Sequence, residues 1–386
     1  MYVLAVAISV ILHIENLIIS FFDMKMNVVL LSAVLLCASC SEDEDIIKKE
    51  EDSMNPNTEI TAENIGGSDI TPLVNRFNSN STVAEVISAP EFGDFGYLLF
   101  PVDRNVSRSM TLADISSSNV YVWYNHIQPE KTVEIINRLY SDAAAGNQIF
   151  YRMYSDAEIA ADRSKADTGL FLFRGEVGKP FAITNAGGGF MYVGAMHDSF
   201  PHSLEISNAG FNAFALIYRP DDPYSDLAKA IEFIHDNVSE LGVKADDYSL
   251  WGGSAGARMS AVLGNQAYLQ QLTDRNDIPQ ASAVIMQYTG YTQASQYDAP
   301  TYVCVGSNDG IASWRTMQNR LQRLSAMGIP TEFHVYEGLG HGFGLGQGTV
   351  ADGWINDALK FWQTNMKTNE KGKNGNSYRN FSRASD

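Results

Sequence analysis

An apolar strand pattern that runs straight into Gly252-Gly253-Ser254-Ala255-Gly256 leaves this chain few ways to fold. Tyr248-Ser249-Leu250-Trp251 supplies the strand, and a helix-compatible segment follows over residues 257–269. A serine at such a junction sits on a turn so sharp that its backbone is strained. Glycine on both sides, Gly252 and Gly256, removes the Cβ atoms that would strike the neighbouring strand and helix. Ser254 is then exposed at the strand's C-terminal end. The N–H of Ala255 opens the helix, where it can stabilise a developing oxyanion. A glycine-rich turn without chemistry could carry the same five letters, so other parts of the chain have to discriminate.

The surroundings of the turn are regular. Residues 170–173, 181–185 and 214–218 read as strands, and residues 225–241 as a helix with Leu227, Ile231, Ile234, Val238 and Leu241 at helical spacing. Beyond the serine, residues 283–288, 301–305 and 332–336 read as strands, and 314–327 and 354–362 as helices. Strands alternating with helices predict a mostly parallel sheet covered on both faces, with right-handed crossovers. Ligands of such sheets bind at the C-terminal ends of the strands.

Two further residues fall at those ends. Asp309 lies in the loop Gly306-Ser307-Asn308-Asp309-Gly310, after the strand 301–305. His341 lies in Gly338-Leu339-Gly340-His341-Gly342, after the strand 332–336. An acyl-transfer site needs a nucleophile, a base, an acid that orients the base, and an oxyanion hole. Ser254, Asp309 and His341 supply the first three in the chain order serine, acid, histidine. The expected roles are attack by Ser254, proton transfer by His341, and orientation of the imidazole by Asp309. Competing residues are placed less well. His334 lies inside a strand, His235 on a helix, and Asp298 ahead of its strand at the opposite end of the sheet. Glu337 stands closer to its strand than His341 does. Gly187-Gly188-Gly189 follows the strand 181–185 and offers backbone N–H groups that a substrate can approach closely.

With these motifs, residues 169–366 resemble an α/β-hydrolase of the esterase and lipase group that carries a His-Gly-Gly-Gly loop. The chain is most similar in kind to bacterial secreted carbohydrate esterases of the acetylxylan and feruloyl type. The resemblance implies an α/β-hydrolase fold, with helices on both faces of the sheet and an N-terminal extension of unread structure. It implies carboxylic ester hydrolysis without cofactor or metal. Residue by residue, it puts Gly188 and Gly189 in the oxyanion hole beside Ala255. Ala186 stands where the family has its histidine, which leaves Asn185 as the candidate to order that loop. Arg219, after the strand 214–218, resembles a structural arginine of these esterases. Asp198 or Ser199, in His197-Asp198-Ser199-Phe200-Pro201-His202, is expected to cap the next helix rather than line the cleft. A metal held by His197 and His202 would lack a third ligand. A peptidase of the same fold, and a non-catalytic glycan-binding protein on that scaffold, are the alternatives.

The ends of the chain read differently. Met24-Lys25-Met26, the apolar run 28–36 and Leu36-Cys37-Ala38-Ser39-Cys40 look like a secretory signal. Its ending resembles a bacterial lipobox that would lipidate Cys40, with residues 1–23 as an over-extended start. The acidic run Glu42-Asp43-Glu44-Asp45 opens a polar tether that reaches residue 65. The division expected is therefore 1–39 signal peptide, 40–65 lipidated cysteine and tether, 66–165 N-terminal extension or first strands, 166–366 catalytic core, and 367–386 disordered tail. Within the extension, residues 97–100, 120–124 and 149–154 look like strands and 129–144 like a helix. The formal net charge of -18 disfavours nucleic acid as a partner. An ester-bearing small molecule or polysaccharide is the expected substrate. The membrane enters only through the lipid anchor of an envelope protein at the outer membrane. Cys304, in an apolar strand, reads as a small buried hydrophobe.

Overall fold

The computed structural model describes residues 73–366. The leader, Cys40, the tether and the tail lie outside that range. Eight strands form one sheet: β1 (Phe150–Tyr151), β2 (Gly169–Phe173), β3 (Pro180–Asn185), β4 (Asn212–Ile217), β5 (Lys244–Gly253), β6 (Ala283–Gln287), β7 (Thr301–Gly306) and β8 (Thr331–Tyr336). Their order is β1-β2-β4-β3-β5-β6-β7-β8. The pairs β1–β2 and β2–β4 are antiparallel, and every other pair is parallel. This is the α/β-hydrolase architecture. β2, β3, β4, β6 and β7 are buried at every residue, as strands covered on both faces must be.

Neighbouring side chains on β3 show the two layers. Thr184 Oγ1 meets Ser203 Oγ at 2.7 Å, on the helix Ser199–Asn208. Asn185 Nδ2 donates to Ser260 Oγ at 3.0 Å, on the helix Ala255–Leu263. Successive strand residues point to opposite faces, so these two helices cover opposite sides of the sheet. Trp251 of β5 packs near Trp354 and Trp362 of the last helix, Trp354–Asn365.

Two expected helices are divided. Residues 225–241 give Pro223–Asp236 and Val238–Leu241. Residues 257–269 fall in Ala255–Leu263 and Gln266–Thr273, because Asn265 between them accepts a hydrogen bond from Tyr268 N–H and starts a new helix. Ahead of β2, the helix Pro129–Ala144 forms as its pattern predicts, with Pro129 in the first turn. The strand readings there fare worse. Residues 97–100 fall in a 3-10 turn, Gly96–Leu99, residues 120–124 are turns, and 149–154 yields only β1. Leu98, Leu99, Phe100, Val120 and Tyr121 are buried without a ladder, while Tyr97, Val122 and Trp123 are exposed, and strand propensity alone does not distinguish such turns from a strand. The segment shares the core of the sheet: Phe95 stacks on Phe150 and meets Phe171 edge-on.

Candidate active site

Three loops at the C-terminal ends of parallel strands meet at one point. Ser254 follows β5 directly, with φ 51° and ψ -114°, a conformation that an L-residue adopts only under constraint. The constraint is visible. A Cβ at Gly252 would collide with the backbone carbonyl of Gly256, and one at Gly256 with the carbonyl of Asn185. Ser254 N–H donates to the Gln287 carbonyl of β6 at 3.0 Å, which holds the turn from the other side.

Ser254 Oγ lies 3.0 Å from His341 Nε2, and His341 Nδ1 lies 2.8 Å from Asp309 Oδ2. The His341 side chain is 8% exposed and that of Asp309 fully buried. The other carboxylate oxygen, Asp309 Oδ1, accepts from the N–H groups of Ile311 and Ala312 at 2.8 and 2.7 Å. A carboxylate anchored this way favours the proton on Nδ1, leaving Nε2 to accept from the serine hydroxyl. The competing residues are engaged elsewhere. Asp298 pairs with Arg320 at 2.5 Å, His334 with Glu332 at 2.7 Å, and His235 Nδ1 with the Ile231 carbonyl at 2.8 Å. Glu337 and His126 are exposed.

Gly187-Gly188-Gly189 leaves β3 beside the serine. A Cβ on Gly187 would meet Ser254 Cβ at 2.9 Å. Gly188 and Gly189 have φ 127° and 65°, which only glycine adopts freely. Among the described residues the N–H groups of Gly188, Gly189 and Ala255 have no acceptor, whereas Gly187 N–H is taken. Its acceptor is Asp198 Oδ2, at 2.6 Å.

Asn185 does not order this loop. Its amide donates to the Trp251 carbonyl at 3.1 Å as well as to Ser260, so it fastens β3 to β5 and to the helix after the serine. The ordering group is Asp198. Its side chain caps no helical N–H and Ser199 Oγ has no partner, which corrects the expected helix cap. The Asp198 carboxylate is fully buried. It accepts from Gly187 N–H, from Tyr124 Oη at 3.1 Å and from Tyr288 Oη at 2.9 Å. Burial raises its pKa, against the lowering by these three donors and by His341. Tyr218 Oη adds a bond to the Ala186 carbonyl at 2.7 Å. An aspartate in an otherwise apolar run before a helix was the one signal for Asp198 in the sequence.

The N-terminal extension also reaches the site. Asn125 N–H donates to the Gly342 carbonyl at 2.8 Å, and Asn125 Nδ2 to the His341 carbonyl at 2.6 Å. Tyr288 lays its ring 4.9 Å from that of His341. His197 and His202 are buried, and burial lowers each pKa to about 3, so both are neutral at neutral pH. Among the described residues no group of three or more His, Cys, Asp or Glu could hold a metal ion. Arg219 is structural: it pairs with buried Asp226 at 2.7 Å and with Asp162 and Asp222. Cys304 is buried, and burial pushes its thiol pKa up.

No protein-family model and no curated protein sequence matches the chain. Solved structures that resemble it include an acetyl ester-xyloside bifunctional hydrolase from Caldicellulosiruptor lactoaceticus (18% identity, 56% of this chain and 95% of that one, TM-score 0.48). Others are MGS-M1, an alpha/beta hydrolase enzyme from a Medee basin deep-sea metagenome library (19% identity, 51% and 92%, TM-score 0.45), and the carboxylesterase Cest-2923 from Lactobacillus plantarum WCFS1 (18% identity, 51% and 92%, TM-score 0.44). The fold of this chain rests on its own strand order, and its chemistry on the three loops just described.

Proposed function

We propose that the protein is a serine esterase that cleaves carboxylic esters through an acyl-enzyme, and that its substrates are acetyl or feruloyl esters on polysaccharide. The observation that carries the reading is the hydrogen-bonded line Ser254–His341–Asp309, set beside backbone N–H groups with no acceptor. Ser254 Oγ attacks the ester carbonyl while His341 Nε2 takes its proton. The carbonyl oxygen becomes an anion, stabilised by N–H groups of Gly188, Gly189 and Ala255. The imidazolium, held by Asp309, gives its proton to the leaving alcohol as the C–O bond breaks. Water then repeats the cycle on the acyl-enzyme, with His341 taking the water proton and returning it to Ser254. A neutral glycan is compatible with a chain of net charge -18. The lipobox-like Cys40 and the acidic tether place the enzyme, in this reading, at the outer membrane of the cell envelope.

The test compares the protein with Ser254→Ala on p-nitrophenyl acetate, p-nitrophenyl butyrate and methyl ferulate. Loss of the nucleophile should lower kcat by at least about a thousandfold. Preference for acetate indicates a small acyl pocket, and strong ferulate cleavage a wide one. An inactive wild-type protein on all three esters sinks the esterase reading and leaves the peptidase and the non-catalytic glycan-binding protein. In the same cells, Cys40→Ser should leave the membrane fraction. Retention of that variant in the membrane removes the lipid anchor from the proposal.

A further inference from the structure

One exposed aromatic ring stands between the two loops that must handle the ester. Trp123 is 40% exposed, while the rings of Tyr192, Tyr218 and Tyr288 around the site are buried. Its backbone is left-handed at φ 75°, and that of His126 at φ 57°. Such conformations are strained and persist only where surrounding contacts impose them. Here the contacts are specific. Tyr192 Oη donates to the Val122 carbonyl at 2.6 Å, Tyr124 Oη to Asp198 at 3.1 Å, and Asn125 N–H to the Gly342 carbonyl at 2.8 Å. The Trp123 ring lies nearly parallel to that of Tyr192, 19° between planes and 6.2 Å between centres. Its edge rests on the oxyanion loop, where a Cβ at Gly189 would meet it at 3.0 Å. The ring is held in advance of any ligand, so little ordering is needed to use it.

Its place decides which half of an ester it can touch. The carbonyl oxygen of a bound ester faces the N–H groups of Gly188, Gly189 and Ala255. The leaving alcohol must lie within reach of His341 Nε2, because that nitrogen returns the proton. Trp123 touches both loops: its ring lies against Gly189, a Cβ at Gly342 would strike its backbone carbonyl, and Asn125 N–H two residues on donates to the Gly342 carbonyl. We propose that Trp123 determines specificity for the alcohol half of the ester, as a platform for a ring-shaped, uncharged alcohol such as the pyranose of an acylated sugar. The apolar C–H face of a pyranose packs on an indole, whereas an open-chain alcohol of two carbons leaves the indole uncovered. The inference rests on the esterase reading and adds the residue that holds the sugar half of its substrate.

Three acetates separate the possibilities: ethyl acetate, cyclohexyl acetate and O-acetylated xylobiose, each assayed with wild type, Trp123→Ala and Trp123→Phe. Trp123→Ala should raise KM for the two ring alcohols about tenfold and leave ethyl acetate within about twofold. Trp123→Phe, which keeps a flat ring, should recover most of the loss. Unchanged ethyl acetate hydrolysis also shows that the variant folds. Equal loss on all three acetates overturns the proposal, since it makes Trp123 a structural support of the loops. No loss on the ring alcohols overturns it as well. Wild type that hydrolyses ethyl and cyclohexyl acetate but not the xylobiose ester removes the sugar while the esterase stands. Wild type that hydrolyses none sinks the esterase reading itself.

Discussion

Asp198 shows how a single buried charge can order the glycine loop beside Ser254. It accepts from Gly187, Tyr124 and Tyr288, three groups brought together from distant parts of the chain. Asp198→Ala would leave all three donors buried without an acceptor and release the glycine loop. The expected result is a fall in kcat of about a hundredfold with KM little changed, because the loop acts on the oxyanion rather than on the bound ester. Asp198→Asn, with its amide oxygen in the place of Oδ2, keeps the acceptor for Gly187 and Tyr124 and should fall between. An equal loss in KM for ethyl acetate would instead make Asp198 part of the binding surface. The triad was legible in the sequence because each member is fixed locally, at the end of a strand whose apolar run announces it. Asp198 was not, since its role depends on where Tyr124 and Tyr288 fold, and the local pattern around it suggests a helix cap.

At the next level, the elbow after β5 is an element with no slack. β5 delivers Ser254 and the helix Ala255–Leu263 carries it away, with Asn185 of β3 bonded to both partners of the junction. A Cβ added at Gly256 would stand 2.0 Å from the carbonyl oxygen of Asn185. Gly256→Ala should therefore move the helix away from β3, destabilise the protein by about 1–3 kcal/mol, and abolish most ester hydrolysis. Urea unfolding and the acetate assay report the two effects. Full activity would show that the helix can shift without displacing Ser254. The strands β3, β4, β6 and β7 were readable because fully buried parallel strands are continuous apolar runs bounded by turns. Before β2 the helix Pro129–Ala144 was readable from its period, but the apolar residues that pack into the same core from turns and a 3-10 helix were not, because they form no periodic ladder.

That shared core ties the early segment to the last helix, and two buried histidines lie along the connection. His197 packs edge-on to Tyr121 at 4.1 Å, and His202 edge-on to Trp354 at 5.3 Å. Neither ring nitrogen of His202, nor Nε2 of His197, has a partner among the described residues. Both folded-state pKa values are lowered from 6.5 to about 3 by burial. The sign follows from linkage. Above pH 6.5 neither the folded nor the unfolded form is protonated at these rings, and their contribution to stability is whole. As pH falls, the unfolded chain binds two protons that the folded protein cannot, and stability drops toward pH 3 by up to about 1.4 kcal/mol per pH unit for each histidine. Buried Asp198 acts in the opposite direction: its raised pKa favours the folded form at the acid end and costs stability as pH rises through that value. The two histidines favour loss of stability in acid, and Asp198 opposes them. His202→Phe, which keeps a flat ring against Trp354, should remove one proton from the slope and flatten the decline. Urea unfolding followed from neutral pH toward about 4 measures that slope directly. If the slope in His202→Phe equals that of the wild type, His202 is protonated in the folded protein, and the acid sensitivity of the core lies in its carboxylates.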